Sequence, residues 1–257
     1  MTELRGATAA DQAILRRSFR QGLIAAFRSL REWQNPELVA NATIAVPGVG
    51  EFEVRAFSDD LYQLLPSQEA GVRSEIRRRL KAGSTFVDAG ANIGACTVLA
   101  SRLVGPEGKV FAIEMMPDTA DRLRRHIEGN QLHNVTVFEC ALSDQGGKSI
   151  TAFVTGAEYG QASIVRRARD QRGRTLKVIT ETLDKLLGDV PGPIDLIKID
   201  IEGAEASALA GATEVLSRTK AVIFEQLDGE APAGDLLEAA GFRIRSLDPR
   251  NRVAERP

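Results

Sequence analysis

Ten consecutive residues limit what this chain can fold into more than any others: Thr85-Phe86-Val87-Asp88-Ala89-Gly90-Ala91-Asn92-Ile93-Gly94. An apolar, β-prone run ends at an acid. Two glycines follow, and a helical pattern then runs over Ala95–Val104. Strand, glycine turn and helix are the start of a nucleotide-binding βαβ unit. Gly90 allows a tight turn and a close approach of backbone to ligand, and Gly94 allows the following helix to pack near the strand. The dinucleotide fingerprint Gly-x-Gly-x-x-Gly is absent; the pattern here is Asp-x-Gly-x-Asn-x-Gly.

A carboxylate at the end of that strand suits a ligand carrying positive charge and suits a pyrophosphate poorly. S-adenosylmethionine (SAM) has a sulfonium, an ammonium and no phosphate, and is such a ligand. The second strand of the unit, Lys109–Ile113, ends at Glu114, 26 positions after Asp88. An acid at that place binds a ribose diol through two hydrogen bonds. The third strand, Val135–Phe138, leads into a turn over Glu139–Asp144 in which Ala141, Leu142 and Ser143 would line an adenine. The fourth strand, Asp195–Ile199, is an apolar run expected to be buried on both faces. Asp200 sits at its carboxyl end, with Glu202 and Glu205 close behind. These acids would reach the methionine half of the cofactor and the reacting atom. They are the candidates for holding the amino group, for taking a proton or for binding a divalent metal. A helix N-terminal acid cluster, stabilised by the macrodipole, is the competing explanation, especially for Glu205.

About 80 residues precede this unit. An amphipathic helix is expected over 8–34, a hairpin over 42–57 and a basic-faced helix over 68–82, with Arg77, Arg78 and Arg79 on a solvated face. Residues 148–182 interrupt the alternation of strand and helix with two strands, Ser149–Thr155 and Thr175–Glu181. Between and beside them stand Arg166, Arg167, Arg169, Arg172, Arg174 and Lys177, which either attract an anionic substrate or cap a solvated hairpin tip. After the fourth strand the spacing predicts one helix over Ala206–Leu216, a fifth strand over Ala221–Phe224, a last helix over 235–240 and a sixth strand over Phe242–Leu247. Only Arg252–Glu255 is left for a seventh, antiparallel strand, so the sheet is expected to be cut short or completed by a neighbouring element. His126 and His133 lie away from strand ends; neither is assigned to chemistry, and His126 is expected to be exposed.

Composition narrows the function classes. A net charge of −2 provides no bulk field toward nucleic acid or membranes. No apolar run is long enough to span a bilayer, and the polar N-terminus lacks the apolar core of a signal peptide. With two cysteines, Cys96 and Cys140, and no disulfide framework, a reducing, cytoplasmic location is expected.

Three motifs together, Phe86–Gly94, Glu114 and Ile197-Lys198-Ile199-Asp200-Ile201-Glu202-Gly203-Ala204-Glu205, resemble the FkbM family of SAM-dependent methyltransferases. The Ala208–Ala212 run, Phe224-Glu225 and the Gly160–Ser163 turn fit the same pattern. The resemblance spans roughly residues 70–226. It implies a class I SAM-methyltransferase fold: a Rossmann-like, doubly wound α/β sheet, mostly parallel, with an antiparallel C-terminal strand. Here that core would carry an N-terminal helix and hairpin extension over 1–67, a methyltransferase domain over 68–257 and a strand-rich insertion at about 148–182. It also implies methyl transfer to a hydroxyl on a sugar, glycolipid or polyketide-type small molecule. The expected allocation places Asp88, Gly90, Asn92, Gly94, Glu114, Ala141, Leu142, Ser143 and Asp200 around SAM, and Asp200, Glu202 and Glu205 near the chemistry. A nucleotide-binding oxidoreductase and a non-catalytic binding module are the alternatives. Metal dependence, acceptor identity and oligomeric state are not legible, and a nucleic-acid acceptor is not expected.

Overall fold

A computed structural model describes residues 8–20, 37–154, 162–165, 174–226 and 233–257. The chain opens with α1 (Ala9–Arg20) and a hairpin, β1 (Ala42–Val46) and β2 (Gly50–Val54), followed by α2 (Asp60–Leu64) and α3 (Ala70–Arg79). The alternating unit then runs β3 (Thr85–Ala89), α4 (Ala95–Val104), β4 (Lys109–Ile113), α5 (Pro117–Gly129) and β5 (Val135–Phe138). Next come β6 (Ala141–Leu142), β7 (Ser149–Val154) and β8 (Arg174–Glu181), which form a small sheet of their own in the order β6-β8-β7. The second half runs α6 (Leu183–Leu187), β9 (Leu196–Ile199), α7 (Glu205–Ala210), α8 (Thr213–Ser217), β10 (Ala221–Glu225), α9 (Ala233–Ala239), β11 (Arg243–Ser246) and β12 (Asn251–Glu255).

Among the described residues, seven strands form the central sheet in the order β11-β12-β10-β9-β3-β4-β5. Strands β5, β4, β3, β9 and β10 are parallel, and β12 runs antiparallel between β10 and β11. This is the class I methyltransferase sheet. Chain order reverses between β3 and β9, which opens a crevice at the carboxyl ends of the strands. The seventh strand comes from the chain itself: all five residues of β12 pair with β10, from Ala221 opposite Glu255 to Glu225 opposite Asn251. The expectation of a truncated sheet fails because Asn251, which follows the turn directly, already belongs to the strand.

Period-two alternation divides the core between the two faces of the sheet. Phe86, Val110, Leu196 and Ile223 pack with α4, α3 and the hairpin in one cluster. Val87, Phe111, Ile197, Val222 and Phe224 pack on the other face with Leu183, Leu209, Val215 and Leu237 from α6 to α9. The N-terminal residues share the first cluster: Phe52, Val54, Leu61 and Leu64 are fully buried against it. Each such side chain contributes about 2 kcal/mol of burial.

Several local expectations change. Of the helix expected over 8–34, Ala9–Arg20 is helical and 21–36 lie outside the described residues. The arginine run is not a plain solvated face, because Arg78, Arg79 and, from β11, Arg245 converge on the buried Glu75 carboxylate. The helix expected over Ala206–Leu216 is two short helices broken at Gly211. There a Cβ would overlap the Ser143 carbonyl, and Asp184 caps α8 by accepting from Val215 N at 2.8 Å and Glu214 N at 3.1 Å. The turn after β5 contains a short strand, since Ala141 and Leu142 pair with Thr180 and Glu181 of β8. The second hairpin strand ends at Val54, and Phe57 sits at φ +53°.

His126 is buried, not exposed. Its ring links three elements: Nε2 accepts from Glu53 N at 2.8 Å, Nδ1 donates to Ile93 O at 2.7 Å, and Phe52 meets it edge-on at 5.2 Å. The glycine loop and the hairpin are thus tied through one neutral imidazole. Burial is the main force holding its pKa below the usual 6.5, helped by Arg122 and opposed by the bonds to Ile93 and Glu53. The unfolded chain therefore gains a proton that the folded chain refuses, and stability falls as pH drops through about 6.5. Replacing His126 with alanine strands one donor and one acceptor and leaves a cavity. We expect a loss of about 3 kcal/mol by urea denaturation, and a shallower decline of stability between pH 7 and 5 than in the wild type. An unchanged decline would place that acid sensitivity elsewhere.

Candidate active site

The crevice at the carboxyl ends of β3, β4, β9 and β10 has two compartments that share Gly90, Asn92, Asp200 and Glu202. The narrower, about 50 Å³, lies toward β4 and is lined by Glu114, Met115, Cys140, Ala141, Leu142 and Ile164 among others. The wider, about 290 Å³, lies toward α3 and the last hairpin and includes Tyr62, Glu69, Asp88, Lys198, Glu225 and Arg250. Most of the residues expected from sequence meet here. Gly94, Ser143 and Glu205 do not line either compartment. Gly94 caps α4, and the Ser143 hydroxyl is engaged with Asp144 and Ser207.

The glycine turn is built by backbone. Gly90 and Ala91 N–H both donate to the Ile113 carbonyl at 3.0 Å, fixing the turn to the end of β4. Gly90 has φ +78°, and a Cβ there would collide with the Asp200 carbonyl oxygen, so the ends of β3 and β9 touch with no room for a side chain. Asn92 follows in the left-handed region at φ +49°, which presents its N–H to Glu114 Oε2 at 2.9 Å. Met116 N–H donates to the other oxygen, Oε1, also at 2.9 Å. Two backbone donors thus aim one carboxylate, leaving its remaining lone pairs for a ligand. Burial raises the Glu114 pKa to about 7; Met116, Asn92 and Arg55 oppose the rise and Asp88 adds to it.

Asp88 and Lys198 are register partners on adjacent strands, so both side chains leave the same face. Asp88 Oδ2 accepts from Thr97 Oγ1 at 2.6 Å, while Oδ1 is buried without a partner. Lys198 is 5% exposed and donates to Asp200 Oδ2 at 3.2 Å. Burial alone would lower the lysine's pKa, but Asp200, Glu69 and Asp88 outweigh it and raise the pKa well above the usual value. Asp200 is held low by Lys198 against the effect of burial. Burial raises Glu69 to about 7 and Glu225 to about 8.

The remaining parts come from far along the chain. Glu202, at φ +58°, is tied to the insertion because Ser163 Oγ donates to its carbonyl at 2.7 Å. Glu205, the first residue of α7, accepts from Ile201 N at 2.9 Å. Arg250 reaches Glu225 Oε1 at 2.5 Å from the β11–β12 turn, where Asp248 Oδ1 accepts from Arg250 N and Asn251 N. Of the five non-glycine residues with positive φ among the described residues, Glu69, Asn92 and Glu202 line this crevice, in keeping with the tendency of strained backbone to gather at functional sites.

Lys198, Glu69, Glu225 and Arg250 were not among the sequence-derived site residues. A lysine inside an apolar strand and an acid at the end of β10 were legible signals for Lys198 and Glu225. Nothing local marks Glu69 or Arg250. Of the basic residues in the insertion, Arg166, Arg167, Arg169 and Arg172 lie outside the described residues, as do Gly160 and Gln161. Arg174 lies 3.8 Å from Asp118, and Lys177 donates to Thr151 Oγ1.

Residues 88–244 match the methyltransferase FkbM domain. The chain belongs to the FkbM methyltransferase family. Methyltransferase 1 of Beauveria bassiana is 29% identical over 182 residues, covering 63% of this chain and 73% of that protein. The 2-O-methyltransferase NoeI of Sinorhizobium fredii is 26% identical over 197 residues, covering 71% and 79%. A probable cobalt-precorrin-6B C(15)-methyltransferase of Sulfurisphaera tokodaii is 35% identical over 131 residues, covering 48% and 68%. This FkbM protein is a SAM-dependent methyltransferase. The crevice fits that cofactor: the wider compartment holds an unpartnered buried Asp88 oxygen suited to a cation, and Glu114 is an aimed carboxylate suited to a diol. Among the described residues no helix is long and apolar enough to cross a membrane.

Proposed function

We propose that this FkbM methyltransferase transfers the SAM methyl to a hydroxyl oxygen of a small, hydroxyl-rich acceptor such as a sugar, glycolipid or polyketide-type product. The observation that carries the reading is the lining of the wider compartment. Glu69, Asp88, Asp200, Glu202, Glu225 and Asp248 stand there with Lys198 and Arg250, and Tyr62 is the one aromatic among the described lining residues. Such a wall offers many hydrogen-bond acceptors for hydroxyls and little platform for stacking a nucleobase. Its excess of carboxylates favours a neutral acceptor over an anionic one.

The cofactor supplies an activated methyl on a sulfonium whose leaving form is neutral. The chain's own residues bind and align. In this reading Glu114 holds the ribose diol, Ala141 and Leu142 border the adenine, and Asp88 with the Gly90–Ile93 backbone holds the methionine end. Asp200 takes the amino group or faces the acceptor, and Glu202 is the next group able to receive the hydroxyl proton, Glu205 standing behind the wall of the crevice. Residues 1–67 make up the extension, whose Tyr62 and Gln63 border the acceptor compartment. Residues 68–257 carry the methyltransferase domain, with its insertion at about 148–182.

The test is product chemistry. Incubating the protein with methyl-labelled SAM and a panel of neutral sugars and glycolipids should give an alkali-stable O-methyl ether. Glu202→Gln should cut turnover by about a hundredfold with SAM affinity unchanged. Label recovered on carbon or nitrogen, or wild-type turnover in Glu202→Gln, would contradict the reading.

A further inference from the structure

We propose that Asp200, Glu205 and Glu225 form a binding site for a divalent cation that prefers oxygen ligands, with Mg2+ the ion that fits. One carboxylate oxygen from each residue lies within 4.8 Å of the others. Oxygens sharing one ion at about 2.1–2.6 Å are separated by roughly 3–5 Å, so the spacing matches a common centre. The three residues sit on a rigid frame. Asp200 follows β9, Glu225 ends β10 beside it, and Glu205 opens α7 with its other function, the bond from Ile201 N, already in place.

A second feature, distinct from the spacing of the oxygens, points to a ligand. Glu225 is 4% exposed; Arg250 occupies its Oε1, and its Oε2 is buried with no hydrogen-bond partner. A carboxylate oxygen left so is costly unless something positive meets it. Lys198 is committed to Asp200 and Arg250 to Glu225. Glu69, Asp88 and Glu202 add further carboxyl groups to the compartment that Asp200 and Glu225 line. The donors are all carboxylate oxygens, which select hard ions over zinc or copper. The wider compartment, which Asp200 and Glu225 line and Glu205 backs from outside, leaves space for the waters that Mg2+ retains. An acceptor hydroxyl entering there could displace one of them and be acidified by the ion. The site itself does not depend on the acceptor being a hydroxyl.

The full-length protein, stripped with a chelator and dialysed, would be titrated with Mn2+ as a stand-in for Mg2+, following free Mn2+ by electron paramagnetic resonance. One saturable site per chain is expected, displaced by Mg2+. Glu225→Gln and Glu205→Gln should each weaken Mn2+ binding at least tenfold. Absence of saturable binding at millimolar Mn2+, or binding unchanged in both variants, would overturn the proposal. If Glu225→Gln does not fold, Glu225→Asp and Glu205→Gln decide it on the same criterion. Mn2+ bound as expected by a protein that methylates carbon would leave this site standing and remove the O-methyltransferase reading. An O-methyl product formed without any Mn2+ site would do the reverse.

Discussion

Glu114→Ala is expected to weaken SAM binding on the order of a hundredfold. The carboxylate would accept two charge-assisted hydrogen bonds from the ribose diol, and losing them costs about 3 kcal/mol. Glu114→Gln, which keeps the shape but not the charge, should lose nearly as much while preserving more of the loop. The backbone donors of Asn92 and Met116 that aim Glu114 explain why neither substitution can be compensated by movement of the side chain. The effect also has a pH signature. Burial lifts this carboxyl to about 7, so below that value the free site is protonated and affinity should fall about tenfold per pH unit. In Glu114→Gln that slope should disappear. The same shift acts on folding with the opposite sense. Between the ordinary 4.5 and about 7 the folded chain holds a proton that the unfolded chain has released, so this group's contribution to stability falls as pH rises. Calorimetric titration of SAM from pH 5.5 to 8 decides the matter: wild-type affinity in Glu114→Gln would remove Glu114 from the ribose site. A second check uses adenosine against 2′-deoxyadenosine, whose difference in affinity should shrink in the variant.

The other large effect is on the turn. Gly90→Ala is expected to destabilise the protein by about 3 kcal/mol or more, lowering Tm by roughly 10 °C, and to abolish SAM binding. Two costs add. The left-handed backbone at φ +78° disfavours any Cβ, and the added atom overlaps the Asp200 carbonyl, which is part of the β9 end and cannot rotate away. Gly48→Ala is the control. Its φ is +70°, yet no atom lies within 4 Å of the point a Cβ would occupy, so it should lose only the backbone cost of about 1 kcal/mol. Equal losses in the two variants, read by thermal denaturation, would mean that contact between the β3 and β9 ends matters little.

Strand ends were legible because their causes are local. Asp88, Glu114, Asp200 and Glu225 each close an apolar run, and a turn or helix signal follows each within a few residues. The family motif adds the spacing between those ends. His126 was misread because its partners lie 33 and 73 positions away, and nothing near it in sequence says that a histidine on a polar helix will meet a hairpin edge. The break between α7 and α8 was missed for a related reason. Gly211 looks tolerable in a helix until the Ser143 carbonyl from another unit is placed against it.

The sequence by itself determined the βαβ architecture, the order of acids along the strand ends and membership of a SAM-using family. Periodicity, turn chemistry and motif spacing act over a few tens of residues. Only the tertiary structure decided how the crevice is charged. Asp88 and Lys198 become register partners when β3 and β9 pair, Glu69 arrives from outside the alternating unit, and Arg250 comes from the closing hairpin. Electrostatics depends on distance and burial, and neither is written in the spacing of residues along a chain.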